Sequence, residues 1–553
     1  MKFGAFALAL GATALLALAG AETARFSLWT TSDEPAHLAA AREWRHGPGM
    51  VSNFEHPVLM KLLAGVSLPR EKPAMEIDET RAGRAPMPFL LAGLAIVTGL
   101  LGRALAGNAA GLAAAALVAI EPTLRGHGAL VQSDVLVTFF LVAAALALEY
   151  AARGAGESSI DRRWLVASGV LYGCAMASKY SAFPFLAAFA LVVGLRLSSG
   201  RFPLKVKRGL AFVAVALSTL VAIQFLAFAG TSTSTFRAAI AHEFAGLPQE
   251  RAALALASSC PKGIAAYGAG LLFVQGVAGP GERFNYFFGD VSGKGKLLYF
   301  PVALAVKLTT ASVLAFAAAL FAAGLGLLRR PRFRRVLASR ACLPAAIGGA
   351  YLAAACASNV NIGVRHALPV VPFLLVAAAG AGRILLARRP RAFRAALLGV
   401  VLLAAGESAL RLGREISFGN FLAGGPPGIP AILSDSNVDW GQEEGKIFAR
   451  VRSGDLGRVG LTSLLVDESG ARAVGILGQA MTPDAPVDTV FFSRFLWDTA
   501  AAIEKNDETW PKFVWLRGWL PPLRRGLEAR AVSIEPFGDT QILLRLRPSR
   551  SVP

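Results

Sequence analysis

Two adjacent carboxylates, Asp33 and Glu34, lie in the stretch TTSDEPAHLA (30–39), just beyond the first apolar run of the chain. A carboxylate beside a reacting hydroxyl can take its proton. A carboxylate at a helix N-terminus instead accepts hydrogen bonds from free N–H groups and is stabilised by the helix dipole. Capping explains one acid well and two adjacent acids less well. A third acid, Asp134, begins another apolar run in QSDVLVTFF and is open to the same two interpretations. Asp33, Glu34 and Asp134 are therefore candidate catalytic residues.

Basic side chains occur near the ends of other apolar runs. Any one of them could be a side chain that only extends to the membrane surface. Together they suit the binding of an anion, such as a lipid phosphate, beside acid–base chemistry on one group. The candidates for lipid-phosphate or substrate binding are Lys179, Arg365, His366, His56 and Lys307.

No glycine-rich phosphate loop, HExxH motif or nucleophile elbow is evident in the sequence. His37 and His56 lie near acids, but their spacing matches no strong metal-binding pattern. The sequence firmly implies no cofactor, and a divalent metal is an alternative with little support.

The composition indicates what must position these residues. The 553 residues are 54% hydrophobic and only 17% charged, with a mean hydropathy of +0.52, as in polytopic membrane proteins. The fold class predicted is mainly α, a transmembrane bundle of about 11 spans. Apolar runs lie at 4–21, 86–105, 109–124, 135–151, 164–178, 181–197, 209–229, 299–327, 343–357, 367–386 and 395–410.

The net charge of +20 is explained by the orientation of this bundle in the membrane and does not indicate a nucleic-acid partner. Basic residues concentrate in short loops at 196–208, 329–340 and 388–394, which contain almost no acids. If the N-terminus is cytoplasmic, all three loops are cytoplasmic, as the positive-inside rule requires. The first run also resembles a signal peptide, and its cleavage would leave the orientation unchanged.

This topology divides the chain into two predicted parts. Residues 1–410 form the membrane domain, with a first outer loop at 22–85 that carries two amphipathic helices and another outer loop at 230–298. Residues 411–553 form a small extracytoplasmic α/β domain, with strands at VGIL, DTVFFSRF, AVSIEPF and TQILLRLR.

Several segments resemble a known family in the same order along the chain. DEPAHLAAA and EHPVLMKLLA resemble the first outer loop of membrane-embedded GT-C glycosyltransferases, and the most similar group is the dolichyl-phosphate-mannose–protein mannosyltransferase-like family. Further resemblance extends through SDVLVTFFLVAAALAL, SKYSAF, NYFFGDVSGKGKLLYFPVALAVK, NIGVRHALPVVPF and ISFGNFLAGGPPG…LSDSNVDWGQ. The family pattern commonly continues with Thr-Pro after Lys307, where this chain has Leu-Thr-Thr.

The resemblance implies an inverting, hexosyl- or mannosyltransferase-like enzyme of a bacterial inner membrane, with its active site outside the cytoplasm. A polyprenyl-phosphate sugar would be the donor, and the acceptor would be a protein, lipid or glycan hydroxyl. Asp33 would take the acceptor proton, Glu34 would orient the site and Asp134 would assist. Lys179, Arg365 and His366 would hold the departing lipid phosphate.

Two other classes of protein remain open from the sequence. A multi-span transporter would also contain several charges at membrane depth, but no paired interrupted helices of the inverted-repeat kind are evident. A polyprenyl-lipid-binding membrane protein without catalytic activity would keep the fold and the basic residues. Release of free polyprenyl phosphate distinguishes an enzyme from both.

Overall fold

The computed structural model describes residues 3–153, 160–197, 202–279, 281–328, 342–463, 467–476, 482–506 and 511–547. The basic loop at 329–340 lies outside the described residues, as do 154–159 and 198–201 of the neighbouring basic loops. Helices predominate in the described chain, as the sequence predicts.

Residues 3–153 form a series of long apolar helices connected by shorter ones. The first predicted amphipathic helix carries Pro35 in its first turn, where a missing N–H is harmless, whereas the second starts at Leu59 rather than at Pro57. The helices are α1 (Phe3–Ser27), α2 (Glu34–His46), α3 (Leu59–Ser67), α4 (Glu76–Gly83), α5 (Met87–Ala106), α6 (Asn108–Ile120), α7 (Pro122–Ala129) and α8 (Ser133–Arg153).

The next segment packs α9 on α8 and α11 on α9, and then continues into residues 230–298. Its helices are α9 (Arg162–Ser178), α10 (Leu186–Leu197), α11 (Phe202–Phe228), α12 (Thr233–Phe244), α13 (Glu250–Ser259) and α14 (Lys262–Val277). The short strands β1 (Asn285–Phe287) and β2 (Asp290–Ser292) then pair antiparallel.

The predicted run 299–327 is a broken span. The helices of this region are α15 (Tyr299–Lys307), α16 (Thr310–Leu328), α17 (Cys342–Cys356), α18 (Val370–Leu385) and α19 (Pro390–Ala409). At the break, Glu121 accepts a hydrogen bond from Thr309 N at 2.8 Å, and Glu407 accepts one from Thr310 N at 2.6 Å. Two carboxylates distant in sequence thus satisfy the free N–H groups at the start of α16.

Five helical segments are long and apolar enough to cross a membrane, by length and composition among the described residues. They are Phe3–Ser27, Glu76–Ala106, Ser133–Ala152, Phe202–Phe228 and Pro390–Ala409. A sixth span results if α6 and α7, bent by 60°, count as one, and α10, α16, α17 and α18 are shorter apolar helices. Each of the eleven predicted runs contains a helix, and the chain is an integral membrane protein.

The tail combines helices with a four-stranded sheet of order β3-β4-β6-β5. Its helices are α20 (Glu444–Arg452), α21 (Glu468–Ala473), α22 (Arg494–Ile503) and α23 (Pro511–Arg530). Its strands are β3 (Val459–Thr462), β4 (Thr489–Ser493), β5 (Ala531–Phe537) and β6 (Gln541–Leu546). The strand predicted at VGIL is wrong: the buried VGLT of β3 pairs in parallel with β4 instead.

Candidate active site

Asp33 occupies the N-cap position of α2, yet its side chain makes no capping hydrogen bond. Its Oδ2 accepts instead from Nη1 of Arg365 at 2.7 Å. Arg365 lies in the 3₁₀ turn Val364–Ala367, just before α18. Burial alone would raise the pKa of Asp33, but the positive charge of Arg365 and its hydrogen bond hold that pKa below its usual value. The carboxylate is therefore ionised and available as a base at neutral pH.

A segment of the tail supports the Asp33–Arg365 pair from the other side. The Arg365 guanidinium lies 4.2 Å from the ring centroid of Trp440. Ser32 N donates to the carbonyl of Trp440 at 3.0 Å, and Trp29 N donates to that of Gln442 at 2.9 Å. The DWGQ segment therefore fixes the loop that carries Asp33, a role that the sequence alone did not assign to it.

Glu34 is fully buried and is bound from three parts of the chain. The Arg84 guanidinium donates to both carboxylate oxygens, at 2.7 Å and 2.6 Å. Thr31 N and Val131 N also donate to the carboxylate, each at 2.9 Å. These contacts connect the start of α2 with the turn between α4 and α5 and with the connection before α8. The geometry suits the orienting role that the family resemblance implies for Glu34.

Asp134 and Lys179 form a second ion pair at the same end of the bundle. Asp134 lies in the first turn of α8, and Lys179 follows the last residue of α9. The Lys179 ammonium donates to Oδ1 of Asp134, whose side chain is only 2% exposed. Two candidate acids are thus each held by one of the candidate cations.

A groove of about 470 Å³ opens beside Lys179. Its polar end consists of Lys179, Ser181 and His366, and Nε2 of His366 is buried without a hydrogen-bond partner among the described residues. The groove walls are predominantly apolar and come from α10, α15, α17 and the segments beside them: Pro184, Phe185, Ala188, Phe300, Ala350, Tyr351, Ala354, Ala355 and Val360, with Ser358. An apolar groove with a cationic end matches the chemistry of a lipid phosphate.

The loop 53–56 is held near Asp33 by three side chains. The Lys61 ammonium donates to the carbonyls of Asn53 and His56. Glu243, in α12, accepts from Phe54 N at 2.7 Å, and Tyr180 donates to Phe54 O at 2.9 Å. This loop is therefore positioned by α3, α12 and the residue next to Lys179.

His56 and Glu55 lie on this loop. The His56 ring packs edge-on against His37, with centroids 4.6 Å apart, and burial lowers the pKa of both imidazoles, that of His37 to about 4. Burial and the negative charge of Asp33 raise the pKa of Glu55. Glu55 is thus a further candidate acid that sequence reasoning missed. The signal was present in the Glu-His-Pro of EHPVL, which resembles Asp-Glu-Pro at 33–35 in placing an acid two residues before a proline.

Lys307 lies at the break between α15 and α16 and is 1% exposed. Its ammonium donates to the carbonyl of Ile416 at 2.7 Å and to that of Asn437 at 2.6 Å. It does not line the groove beside Lys179. The geometry suits a role in holding the tail on the bundle, so Lys307 is the weakest of the predicted phosphate ligands.

Across the described ranges, no group of three or more His, Cys, Asp or Glu side chains is arranged to hold a metal ion.

The chain is similar to known glycosyltransferases in sequence over part of its length and in fold over nearly all of it. Residues 71–239 match the family described as dolichyl-phosphate-mannose-protein mannosyltransferase. The structure of the Archaeoglobus fulgidus oligosaccharyltransferase in the apo form has a TM-score of 0.51 at 14% identity, over 95% of this chain and 73% of that one. The sequence-based resemblance to this family and the GT-C-like fold are confirmed.

Two further solved structures are more distant by TM-score. ArnT from Cupriavidus metallidurans bound to undecaprenyl phosphate has a TM-score of 0.47 at 12% identity, over 98% of both chains. The S. cerevisiae Pmt1-Pmt2 complex bound to the sugar donor has a TM-score of 0.36 at 16% identity, over 42% of this chain. This chain spans only 35% of that yeast protein. No curated protein matches the chain in sequence.

Proposed function

We propose that this protein transfers a hexosyl unit from a polyprenyl-phosphate donor to an acceptor hydroxyl on the extracytoplasmic side of a bacterial inner membrane. The observation that carries the proposal is the apolar groove whose polar end holds the Lys179 ammonium, paired with Asp134, and the Nε2 of His366, which has no hydrogen-bond partner among the described residues. The matched family takes its description from dolichyl-phosphate mannose, a sugar on a lipid phosphate, which favours a mannosyl donor.

Each part of such a donor has a chemical counterpart in the site. The polyprenyl chain requires apolar walls at membrane depth, and α10 and α17 supply them. The phosphate requires cations, which Lys179 and Arg365 provide. Arg365 uses Nη1 on Asp33, while its buried Nε has no hydrogen-bond partner in the described parts of the chain. One guanidinium can therefore hold Asp33 and a phosphate oxygen together.

The reaction is a single displacement at the anomeric carbon. The acceptor oxygen forms a bond to this carbon as the bond to the phosphate oxygen breaks, and the electron pair leaves with the polyprenyl phosphate. Asp33 takes the acceptor proton, and Lys179, Arg365 and His366 stabilise the leaving phosphate. Because the nucleophile enters opposite the leaving group, the configuration at the anomeric carbon inverts.

The proposed orientation rests on the distribution of charge along the spans. α18 begins a few residues after Arg365 and ends near the basic residues at 388–394. Its 16 residues rise about 24 Å, so these arginines lie at the opposite end of the bundle from the site. Loops rich in arginine and lysine stay in the cytoplasm, which favours an outward-facing site.

The test is release of the lipid carrier. Purified protein is incubated with undecaprenyl-phosphate-linked mannose, glucose or galactose and with peptide, lipid and glycan acceptors, and free undecaprenyl phosphate is measured. We expect release with at least one donor, and its loss in Lys179→Ala. Donor binding without release of undecaprenyl phosphate from any combination of donor and acceptor would indicate a lipid-binding protein. Comparison of glycoconjugates from cells with and without the protein would identify the acceptor class.

A further inference from the structure

Two buried polar side chains between the Asp33–Arg365 and Asp134–Lys179 pairs take no part in the proposed chemistry. Gln132 is 3% exposed, and neither its Oε1 nor its Nε2 has a hydrogen-bond partner among the described residues. His127 is also 3% exposed, and its Nδ1 is likewise without a partner in the described chain. Buried polar atoms are nearly always hydrogen-bonded, so a side chain with both amide atoms unpaired requires an explanation.

The position of these side chains relates them to the donor. Gln132 directly precedes α8 and lies two residues before Asp134. His127, in α7, lies close enough to Gln132 for their side chains to interact, although no well-formed hydrogen bond joins them, and it is within electrostatic range of Asp134, Arg365 and Lys307. The ring centroids of His127 and Trp440 are 5.9 Å apart, and the Arg365 guanidinium lies over the same Trp440 ring. The pair therefore lies among the groups assigned to the phosphate and to the acceptor proton.

The chemistry of an amide limits what it can bind here. Oε1 only accepts hydrogen bonds and Nε2 only donates them, so an amide with both atoms free fits a group that donates and accepts. A sugar hydroxyl does both. Ionised phosphate oxygens only accept, and a polyprenyl chain does neither. The sugar is bonded directly to the phosphate, so its hydroxyls lie within a few ångströms of the cations that hold that phosphate.

We infer that Gln132, with His127 beside it, forms a subsite that binds hydroxyl groups of the transferred sugar and so determines which sugar is accepted. This inference rests on the proposed function. A site that hydrogen-bonds a hydroxyl discriminates strongly against a substrate that lacks it or presents it elsewhere, because the buried amide is then left unpaired.

The experiment compares donor binding with and without the sugar. Gln132→Met removes both amide atoms at similar volume. We expect its affinity for undecaprenyl phosphate to stay within about 2-fold of wild type, while its affinity for the mannosyl, glucosyl or galactosyl derivative that wild type prefers falls about 10- to 100-fold. The preference among these three epimers should largely disappear. The matched control is Gln224→Met, a buried glutamine of α11 with an unpaired Oε1, which should change neither affinity.

The outcomes separate the two proposals. Equal weakening of sugar-free and sugar-linked lipid in Gln132→Met, or an unchanged preference among epimers, would overturn the subsite and assign Gln132 to structure or to a bound water. Failure of wild type to bind any of these lipids would overturn the proposed function itself. If Gln132→Met does not fold, Gln132→Asn retracts the amide by one methylene, and an unchanged epimer preference in that variant would also overturn the subsite.

Discussion

At the position where a carboxylate would cap α2, the Asp33 side chain binds Arg365 instead. The other candidate acids differ from it in how far they are engaged by hydrogen bonds. Glu34 is held by Arg84 and by backbone N–H groups, Asp134 by Lys179, and Glu55 makes its shortest contacts with neighbouring side chains of its own loop. At the scale of single residues, we propose Asp33 as the general base because its side chain is 31% exposed, whereas those of Glu34 and Asp134 are 0% and 2% exposed.

Asp33→Asn tests this assignment directly. The change keeps the size of the side chain and removes its charge and basicity, so transfer should fall about 10²- to 10⁴-fold while the protein folds and binds donor. Transfer is measured by release of undecaprenyl phosphate.

The control for Asp33→Asn is Asp161→Asn. Asp161 is a true N-cap of α9 that accepts from Arg163 N at 2.9 Å, and Asn caps as well as Asp does. We expect Asp161→Asn to leave transfer unchanged. Near-normal transfer by Asp33→Asn would make Asp134 the leading candidate for the base.

Arg365 and Lys307 should give opposite results when they are replaced. Arg365→Ala removes charge-assisted contacts to the donor phosphate and should weaken donor binding about 10- to 100-fold. Lys307→Met leaves the carbonyls of Ile416 and Asn437 unpaired, at a cost of about 1–3 kcal/mol each, and should lower thermal stability with little change in donor affinity. Donor titration and thermal unfolding of both variants check this. An equal loss of donor binding at matched expression would contradict it.

At the scale of elements, the site depends on how α2, the broken span and the tail are fixed to the bundle. Glu34 connects α2 to the turn between α4 and α5 through Arg84, and both side chains are fully buried. Lys307 connects the break after α15 to the tail, and Glu121 and Glu407 stabilise the start of α16. These buried polar contacts connect the elements that carry the site.

Glu34→Gln should therefore act on folding before it acts on chemistry. It leaves the Arg84 guanidinium buried without a counter-charge, which costs about 3–5 kcal/mol. We expect little folded protein by size-exclusion chromatography in detergent. The double variant Glu34→Gln/Arg84→Met should recover part of the folded fraction, because no unpaired charge remains. A stable Glu34→Gln that binds donor but does not transfer sugar would instead support a direct catalytic role for Glu34.

At the scale of the whole molecule, the proposed orientation can be measured with cysteine labelling. In a background with Cys174, Cys260, Cys342 and Cys356 replaced by Ala, single cysteines are introduced at the exposed positions Ser453 and Ala392. An impermeant maleimide applied to spheroplasts should label Ser453→Cys, whereas Ala392→Cys should react only after permeabilisation. Labelling of both positions in sealed spheroplasts, or of Ala392→Cys alone, would contradict the orientation.

The sequence by itself determined the helical membrane architecture, because hydropathy and backbone hydrogen bonding within a helix are local properties. Each predicted apolar run contains a helix, and the resemblance of quoted segments was enough to indicate the family. The residues Asp33, Asp134, Lys179 and Arg365 were all predicted at the same end of the spans, and the structure pairs them there. Their roles in catalysis and phosphate binding stay predictions.

Only the tertiary structure decided which of these residues meet. Asp33 and Arg365 are 332 positions apart, and no local pattern indicates that pair. The break in the predicted run 299–327 depends on Glu121 and Glu407, which hydropathy along the run cannot register. Glu55 and Gln132 gain their significance from burial and unpaired atoms, which exist only after folding. Hydropathy and hydrogen bonding within a helix depend on residues close together in sequence. Ion pairs and hydrogen bonds between side chains depend instead on which residues the packed bundle brings together.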